Sequence, residues 1–591
     1  MKLLSRESSK SILVAFCVSL GVILVVASAF GSYYEEYQAL FNAMLSGKLS
    51  PGVPFESWYY QGYIGLAYLY SKLYSYFPQV EWLSWLTYGY IAISGMLLMF
   101  LFGKVASKHL PKSFVVAFQF LFGLLILSDH IINLVNARMV FLICGSSMLA
   151  IIILFSRKNQ IARHPIAFIA LHIFFLVGCL SRSEPALAVG LLLSCFAVVW
   201  NRNLLKGWFI AFPSLLICVA IVAGILIDIK NSDSFHKQVE PDIEMQFGMR
   251  NNVVPISTMA NARDSLRYEA AMGMIWGDPE VISVGFLRGL IAEHSYSTWN
   301  VSQWNRTISL LQEFGNKYLY LVLFNVILTL LLVVRAAVQR DIVFALLTLL
   351  YSIGFVIAVG CQTYFVKMTT WSFSPFLSVY TASMILLFLK EGGLSNNVGR
   401  IFASVLLVFG LIGHFNFIKK ATDKLGYERE SRQNMVTQLE RTAAGEILLI
   451  TPSSFQHFLS KSFPLHVFDF SDFKKVYFYE SQVASLLPGY RDYLEKECSC
   501  DVSHFPNFYN YLMKNRNGNP VYCLTTPSRA ELVSRYLWGI HGYNLVHCQL
   551  PDAQFKIDGR NGQTIDLALY ELEVDTCMRL AANNSSSIYS Y

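Results

Sequence analysis

The chain has 591 residues, of which 54% are hydrophobic and 14% charged, with a mean hydropathy of +0.44. An ordinary soluble domain carries about 25% charged residues, so this composition excludes a soluble globular protein and predicts a polytopic membrane protein. The net charge of +7 does not indicate nucleic-acid binding, because Lys and Arg fall in short clusters between apolar runs.

Apolar runs recur along the first 418 residues. A transmembrane helix needs roughly 20 apolar residues, and about eleven runs approach or reach that length. The predicted spans are 12–30, 82–102, 113–128, 139–156, 165–181, 185–200, 208–228, 317–335, 342–360, 373–390 and 401–418. The first run has no cleavage site after a short apolar core and predicts an uncleaved anchor. The aromatic segment 57–77 contains Lys72, which favours a helix lying in the membrane interface over a span.

The distribution of basic residues predicts the orientation of these spans. With a cytoplasmic N-terminus, every second loop carries at least two Lys or Arg, as the positive-inside rule requires. These loops read GKVASKHLPK, SRKNQIARHP, NRNLLKG, VRAAVQRD and KEGGLSNNVGR. Three regions then lie outside: 31–81, 229–316 and everything after about 419. We therefore predict a multi-pass protein of a bacterial inner membrane with a periplasmic or extracellular C-terminal domain.

The C-terminal region has the pattern of a separate α/β domain. Residues 445–451 predict a buried strand and 564–574 a last strand with alternating polarity. Between them, 519–550 predicts strand, helix and strand, with an N-cap near Thr526 or Ser528 and a stop at Gly542. The predicted domains are a transmembrane domain over 1–418, an extracytoplasmic α/β domain over 419–579 and a disordered tail over 580–591.

Five of the eleven cysteines lie in this C-terminal region, and none shows metal-ligand spacing. In an oxidising compartment such cysteines form disulfides. We expect Cys498 or Cys500 to pair with Cys523, Cys548 or Cys577.

Ionisable residues gather at the predicted outer ends of the spans. Such groups are costly near a bilayer and are functional candidates. They are Glu35, Glu36, Asp129, His130, Arg138, Arg182, Glu184 and Lys367. Carboxylates there can act as a base or a metal ligand, and cations can hold a lipid phosphate.

Each group also has a purely structural interpretation. Arg182 and Glu184 can pair with each other and cap a helical hairpin, and Arg138 can extend to lipid headgroups. Asp129 can cap a helix, and the two adjacent glutamates can belong to a solvated interfacial turn.

Three stretches resemble the GT-C superfamily of membrane glycosyltransferases. The first outer region begins with an acidic pair followed by tyrosine, "EEY" at 35–37, directly after the first span. The stretch "FESWYYQGYIGLAYLYSKLY" has the length of the juxtamembrane segment that follows this motif. "SRSEPALAVGLLL" (181–193) is similar to an Arg-x-x-acid turn that opens a span in bacterial members. The pair is Glu-Glu here, whereas an Asp-containing pair is commoner, so which acid is catalytic stays open.

The resemblance implies a fold and an activity. The fold is an all-α membrane bundle of about 11 transmembrane helices with interfacial helices, plus the extracytoplasmic α/β domain. The activity is transfer of a hexose or pentose from a polyprenyl-phosphate-linked donor to a glycan, lipid or protein acceptor, within cell-envelope polysaccharide synthesis. No cofactor is certain, and a divalent cation, Mg²⁺ or Mn²⁺, is compatible with it.

The resemblance also implies roles for the gathered residues. Glu35 or Glu36 would be the base. The substrate-binding candidates are Asp129, His130, Arg138, Arg182, Glu184 and Lys367, with the three cations placed to meet phosphate. The outer region 229–316, rich in Trp, Tyr, Asn and Arg, would cover the acceptor.

Three other classes of protein would make different demands on these residues. An O-antigen polymerase or ligase would use arginines of the large outer region, where Arg250, Arg263 and Arg267 lie, and would not need Glu35 or Glu36. A non-catalytic membrane assembly protein would need none of these groups. A secondary transporter would need broken or polar helices at mid-membrane, and the centres of the spans are nearly free of charge.

Overall fold

A computed structural model gives the fold. The residues that the structure describes are 6–34, 42, 46, 66–156, 158–231, 261–273, 275, 278, 281–283, 286, 301–366, 370–392, 397–451, 454, 472–479, 488–502, 504–558 and 564–574. Glu35, Glu36, Lys367 and the predicted tail over 580–591 lie outside them.

The described residues before 444 are mainly helical and include one short pair of strands. The helices are α1 (Arg6–Phe30), α2 (Ala67–Tyr76), α3 (Trp82–Ala106), α4 (Lys112–Ile132), α5 (Asn136–Leu154), α6 (Lys158–Arg163), α7 (Pro165–Ser181), α8 (Ser183–Asn201), α9 (Leu204–Asn231), α10 (Ala262–Met272), α11 (Val301–Lys317), α12 (Leu319–Val338), α13 (Ile342–Val366), α14 (Thr370–Lys390) and α15 (Asn397–Ala443). The strands are β1 (Tyr33–Tyr34) and β2 (Asn133–Leu134).

Among the described residues, eight helices are long and apolar enough to cross a membrane: α1, α3, α4, α8, α9, α12, α13 and α14. Two further apolar stretches, Arg138–Leu154 of α5 and Pro165–Ser181, are shorter, and the predicted span 401–418 falls on the first half of α15. The chain is therefore a multi-pass membrane protein, as predicted. Each predicted span falls on a helix, while the count of eleven crossing helices stays a prediction.

Four of the basic loops meet at one end of the bundle. Arg202, after α8, pairs through Nη1 with Asp341 at 2.6 Å and through Nη2 with Glu391 at 2.5 Å. Arg400 donates from Nη2 to the carbonyl of His109 at 2.9 Å. Ion pairs as exposed as these contribute little to stability, but they show which loops share an end. The same-side grouping fits the predicted orientation, and the assignment of that end to the cytoplasm stays a prediction.

The opposite end is closed by contacts of α1 with α4 and α15. Strand β1 pairs in parallel with β2, with Tyr33 opposite Asn133 and Tyr34 opposite Leu134. The rings of Phe30 and Phe415 stack with centroids 5.8 Å apart. We call this the β1–β2 end of the bundle; it is the end predicted to face outwards.

Helix α2 lies within the segment predicted to be interfacial. Its Tyr74 side chain is buried, donates to Asn42 Oδ1 and accepts from the Leu83 amide at 3.0 Å. Asn42 in turn donates to Glu81 at 2.9 Å. These bonds tie one residue of the first outer region to the start of α3.

The C-terminal domain is a five-stranded mixed sheet with helices. Its strands are β3 (Ile447–Ile450), β4 (Lys475–Phe478), β5 (Val521–Thr525), β6 (Leu545–Asp558) and β7 (Thr564–Val574), and its helices are α16 (Pro488–Cys498), α17 (Phe505–Asn515) and α18 (Pro527–His541). The sheet order is β4-β3-β5-β7-β6, parallel among the first three and antiparallel at β7 and β6. The α/β interpretation of this region is therefore found in the structure.

The ends of α18 follow the predicted signals. The Thr526 side chain accepts from the Arg529 amide, which makes it the N-cap, and Gly542 ends the helix with φ +65°. A left-handed residue at this position favours glycine because a side chain there is strained.

Helix α15 joins the two parts of the chain without a break. It has 47 residues, about 70 Å at 1.5 Å per residue, and Ser431 near its far end donates to the carbonyl of Lys556 in β6 at 3.4 Å. The predicted domain limit at 418/419 thus falls inside a helix.

The predicted disulfide pairing is wrong. Cys498 is bonded to Cys500, and Cys523 lies buried in β5 outside any disulfide. The turn after α16, with Ser499 at φ +49°, brings the two Cα atoms to 5.1 Å, within the range that a disulfide spans. Cys548 is disulfide-bonded as well.

Candidate functional site

The turn between α4 and α5 builds the centre of the candidate site. Helix α4 ends at Ile132 and α5 begins at Asn136, so Asp129 and Arg138 face each other across an extended turn. Arg138 Nη1 lies 2.5 Å from Asp129 Oδ2. Asn133 donates to Asp129 Oδ1 at 2.9 Å, and Ser374 from α14 donates to Oδ2.

This ion pair is almost completely buried. Asp129 is 4% exposed and Arg138 is 3% exposed. A buried carboxylate is stable only where a countercharge and hydrogen bonds replace its hydration, and here Arg138, Asn133 and Ser374 supply them. The interpretation in which Arg138 extends to lipid headgroups does not fit this burial. In the described arrangement, its guanidinium neutralises Asp129.

Two histidines adjoin the ion pair. His130 is 1% exposed, and neither of its ring nitrogens has a hydrogen-bond partner among the described residues. His414 of α15 is 2% exposed; its Nδ1 lies 2.8 Å from the Tyr320 hydroxyl, and its Nε2 has no partner in the described part of the chain. Buried polar atoms are normally paired, so these nitrogens would bind a water or a polar group, each as donor or acceptor according to the tautomer of its ring.

Aromatic side chains pack against one another beside this cluster. The ring of Tyr318, at the start of α12, packs between Phe373 of α14 and Phe417 of α15, with ring centroids 5.6 Å and 4.9 Å away.

Three polar residues of this site, Tyr320, Ser374 and His414, were not among the residues predicted from the sequence. Each is a polar residue near the end of a predicted apolar span, which is a weak signal in the sequence.

The β1–β2 pairing connects this cluster to the first outer region. Asn133 both pairs with Tyr33 and donates to Asp129. The backbone through Tyr34 is therefore held against the same turn that carries the buried ion pair. Glu35 is the next residue in the sequence; it and Glu36 lie outside the described residues.

Arg182 and Glu184 form a separate pair at the turn between α7 and α8. Arg182 Nε lies 3.5 Å from Glu184 Oε2, with side-chain exposures of 29% and 64%. The contacts described for them stay within this turn, which agrees with the hairpin-cap interpretation. Arg182 is nevertheless more accessible than Arg138, and Lys367 lies outside the described residues.

The described acids and histidines offer no ready-made metal site. Within the described ranges, no group of three or more His, Cys, Asp or Glu side chains is arranged to hold a metal ion. Among these residues the one carboxylate at the centre of the site, Asp129, is already paired with Arg138.

Similarity to known proteins is found at the level of solved structures. No protein-family model and no curated protein sequence matches the chain. The chain is similar to the crystal structure of ArnT from Cupriavidus metallidurans bound to undecaprenyl phosphate, with 13% identity and a TM-score of 0.34 over 94% of this chain and 97% of that one. It is also similar to the apo oligosaccharyltransferase of Archaeoglobus fulgidus, with 13% identity and a TM-score of 0.37 over 98% and 76%.

Both similar structures belong to the GT-C superfamily, which the acidic motif also resembles. Since both TM-scores lie below 0.5, the proposal below rests on the residues of this chain.

Proposed function

We propose that the chain is an integral-membrane glycosyltransferase that moves a sugar from a polyprenyl-phosphate-linked donor to an acceptor outside the cytoplasm. The observation that carries the proposal is the β1–β2 pairing. It holds Tyr34, to which Glu35 is bonded, against the turn of Asp129 and Arg138. The acidic pair therefore follows directly on a backbone position that is fixed at the end of a span. Such a position suits a reaction at the boundary between lipid and water.

The chemistry requires one carboxylate as a base. In the proposed reaction, the bond between the anomeric carbon and the phosphate oxygen breaks, and a bond from the acceptor oxygen to that carbon forms. The acceptor hydroxyl gives its proton to Glu35 or Glu36, and polyprenyl phosphate leaves as an anion. The developing positive charge on the sugar and the negative charge on the phosphate both need nearby countercharges.

The described residues divide into two roles under this proposal. Asp129 and Arg138 are buried and paired, so they position the β1–β2 end and present His130 beside it. Arg182 is a described cation with exposed surface at the outer end of a predicted span. We assign Arg182, together with Lys367, to the donor phosphate.

The contacts of Arg267 weigh against the polymerase or ligase alternative. That class would need arginines of the large outer region free to meet a lipid diphosphate. Arg267 instead donates to the carbonyl of Val281 from Nε at 3.0 Å, pairs with Asp264 at 3.1 Å and stacks on the Phe286 ring at 4.0 Å. The Arg267 side chain is therefore engaged in contacts within its own segment.

Binding of undecaprenyl phosphate to the full-length protein in nanodiscs tests the donor assignment. We expect the phosphate lipid to bind and Arg182→Ala to weaken it tenfold or more, since a charge-assisted hydrogen bond contributes about 1.5–3 kcal/mol. Arg163→Ala, which removes an exposed cation on α6, is the matched control and should bind like the unaltered protein. Native mass spectrometry with neutral undecaprenol as competitor measures this; equal binding of the two lipids would contradict the proposal.

A further inference from the structure

Helix α10 of the second outer region docks on helix α18 of the C-terminal domain. A Cβ added at Gly539 of α18 would lie 2.6 Å from Cδ2 of Leu266. A Cβ added at Gly273, just after α10, would lie 2.5 Å from Cδ2 of Leu532. A leucine of each helix therefore packs against a glycine of the other segment. Because glycine has no side chain, the two backbones can approach closely.

A buried carboxylate lies at one end of this contact. Asp278 is fully buried, and its Oδ2 lies 2.5 Å from Nε2 of His541 and accepts from the Tyr536 hydroxyl at 2.8 Å. Burial and the charge of Asp278 raise the pKa of Tyr536, so this hydroxyl stays protonated and able to donate. Both donors come from α18, whereas Asp278 belongs to the second outer region.

Backbone bonds fix Asp278 within its own segment. Its carbonyl accepts from the amides of Val281 at 3.2 Å and Ile282 at 2.8 Å. Arg267 binds the carbonyl of Val281, so α10 and the residues around Asp278 form one unit. Within the described residues, Oδ1 of Asp278 has no hydrogen-bond partner; the carboxylate depends on His541 and Tyr536 for compensation.

The edge of the contact is polar. Arg535 of α18 pairs with Glu269 of α10 at 2.7 Å, and Arg529 donates to the carbonyl of Gly273. The Arg535–Glu269 pair is partly exposed, and such pairs contribute little. Arg529, in contrast, is buried, so the energy of docking is concentrated in its bond to Gly273, the leucine contacts and the buried carboxylate, where an unsatisfied charge would be costly.

We propose that Asp278, His541 and Tyr536 form a latch by which the C-terminal domain holds helix α10 and the described residues that follow it up to residue 283, and that this latch positions the second outer region for acceptor binding. The three are positioning residues, and the part concerning the acceptor rests on the proposed function. The second outer region spans about 88 residues between α9 and α12 in the predicted layout. The contact with α18 restricts the backbone conformations open to this long connection.

Hydrogen exchange on the full-length protein in nanodiscs tests the latch directly. In Asp278→Ala, we expect amides of α10 and of the last turns of α18 to exchange at least about tenfold faster, because the docked state opens more often. Asp278→Asn keeps an acceptor for both donors and should restore part of the protection. Glu531→Ala, which removes an exposed acid from the same helix, is the control. Unchanged exchange in Asp278→Ala would overturn the latch, whatever the activity of the protein.

Should Asp278→Ala fail to fold, His541→Gln weakens the same contact and leaves the Tyr536 bond in place. Its exchange should rise in the same two helices. Undecaprenyl phosphate binding by either variant should equal that of the unaltered protein, since the latch does not touch the donor.

A covalent rescue tests the positioning role. Leu266→Cys with Gly539→Cys places two thiols at one of the two leucine–glycine contacts between the segments. In the Asp278→Ala background, the acceptor fraction from the source membranes needed for half-maximal transfer should rise on the order of 10-fold to 10²-fold. The oxidised cysteine pair should reverse this rise, and reduction should bring it back.

The outcomes separate the two proposals. Faster exchange with an unchanged acceptor requirement would overturn the positioning role. If the unaltered protein transfers no sugar but hydrogen exchange in α10 and α18 is still faster in Asp278→Ala, the proposed function is overturned and the latch is supported.

Discussion

Replacing the catalytic member of the Glu35–Glu36 pair by Gln is expected to lower sugar transfer on the order of 10²-fold or more, the usual loss when a general base is removed. Glutamine keeps the size of the side chain but cannot take the acceptor proton. The neighbouring replacement should have a clearly smaller effect, because adjacent residues in a helix or turn point about 100° apart and only one can face the sugar.

The comparison of Glu35→Gln with Glu36→Gln is made in a deletion strain of the source organism, with the envelope glycan quantified by mass spectrometry. Glu531→Gln, an exposed replacement in α18, is the control and should complement fully. Both Gln variants should reach the same membrane level as the unaltered protein. Full activity of both would remove the transferase assignment and favour the polymerase or ligase class, or an assembly protein.

Removing one partner of the Asp129–Arg138 pair is expected to destabilise the bundle by about 3–5 kcal/mol, because a buried charge is left without its countercharge. Asp129→Ala leaves the guanidinium of Arg138 in a site that is 3% exposed. Unfolding by titration with a denaturing detergent measures the loss, and Arg138→Ala should give a loss of similar size.

A paired replacement separates stability from function. Asp129→Leu with Arg138→Met keeps the volume of the pair without its charges, and such replacements of buried pairs are often neutral or stabilising. The double variant should regain most of the stability and remain impaired in transfer, since Asn133 and Ser374 lose their acceptor. A single variant as stable as the unaltered protein would contradict the structural role of the pair.

The sequence predicts the helices well because the membrane requires a long apolar run for each of them. The run 82–102 appears as α3, and the capping signals at Thr526 and Gly542 mark the ends of α18. Such signals are local. They depend on residues a few positions apart, so a single sequence is enough to detect them.

The contacts that build the site depend on distant parts of the chain. Ser374 lies 245 positions from Asp129, and Tyr536 lies 258 positions from Asp278. Hydrophobic periodicity carries no information on which helices adjoin, so these partners could not be predicted. The predicted gathering of acids and bases is partly found: Asp129, His130 and Arg138 lie together, while Arg182 and Glu184 pair at a turn of their own.

The cysteine pairing was wrong for a related reason. Spacing alone favours no pairing, and a left-handed residue at Ser499 was needed to bring Cys498 and Cys500 together. Serine gives little sign of that conformation in a sequence, whereas glycine does so routinely.

The identity of the lipid that leaves tests the proposed function most directly. The reconstituted protein is incubated with the donor lipid and acceptor fractions of its source membranes, and the lipid products are measured by liquid chromatography and mass spectrometry. We predict release of polyprenyl monophosphate in step with sugar transfer, lost in the Glu35→Gln Glu36→Gln double variant. Release of polyprenyl diphosphate, or monophosphate release that the double variant retains in full, would contradict it.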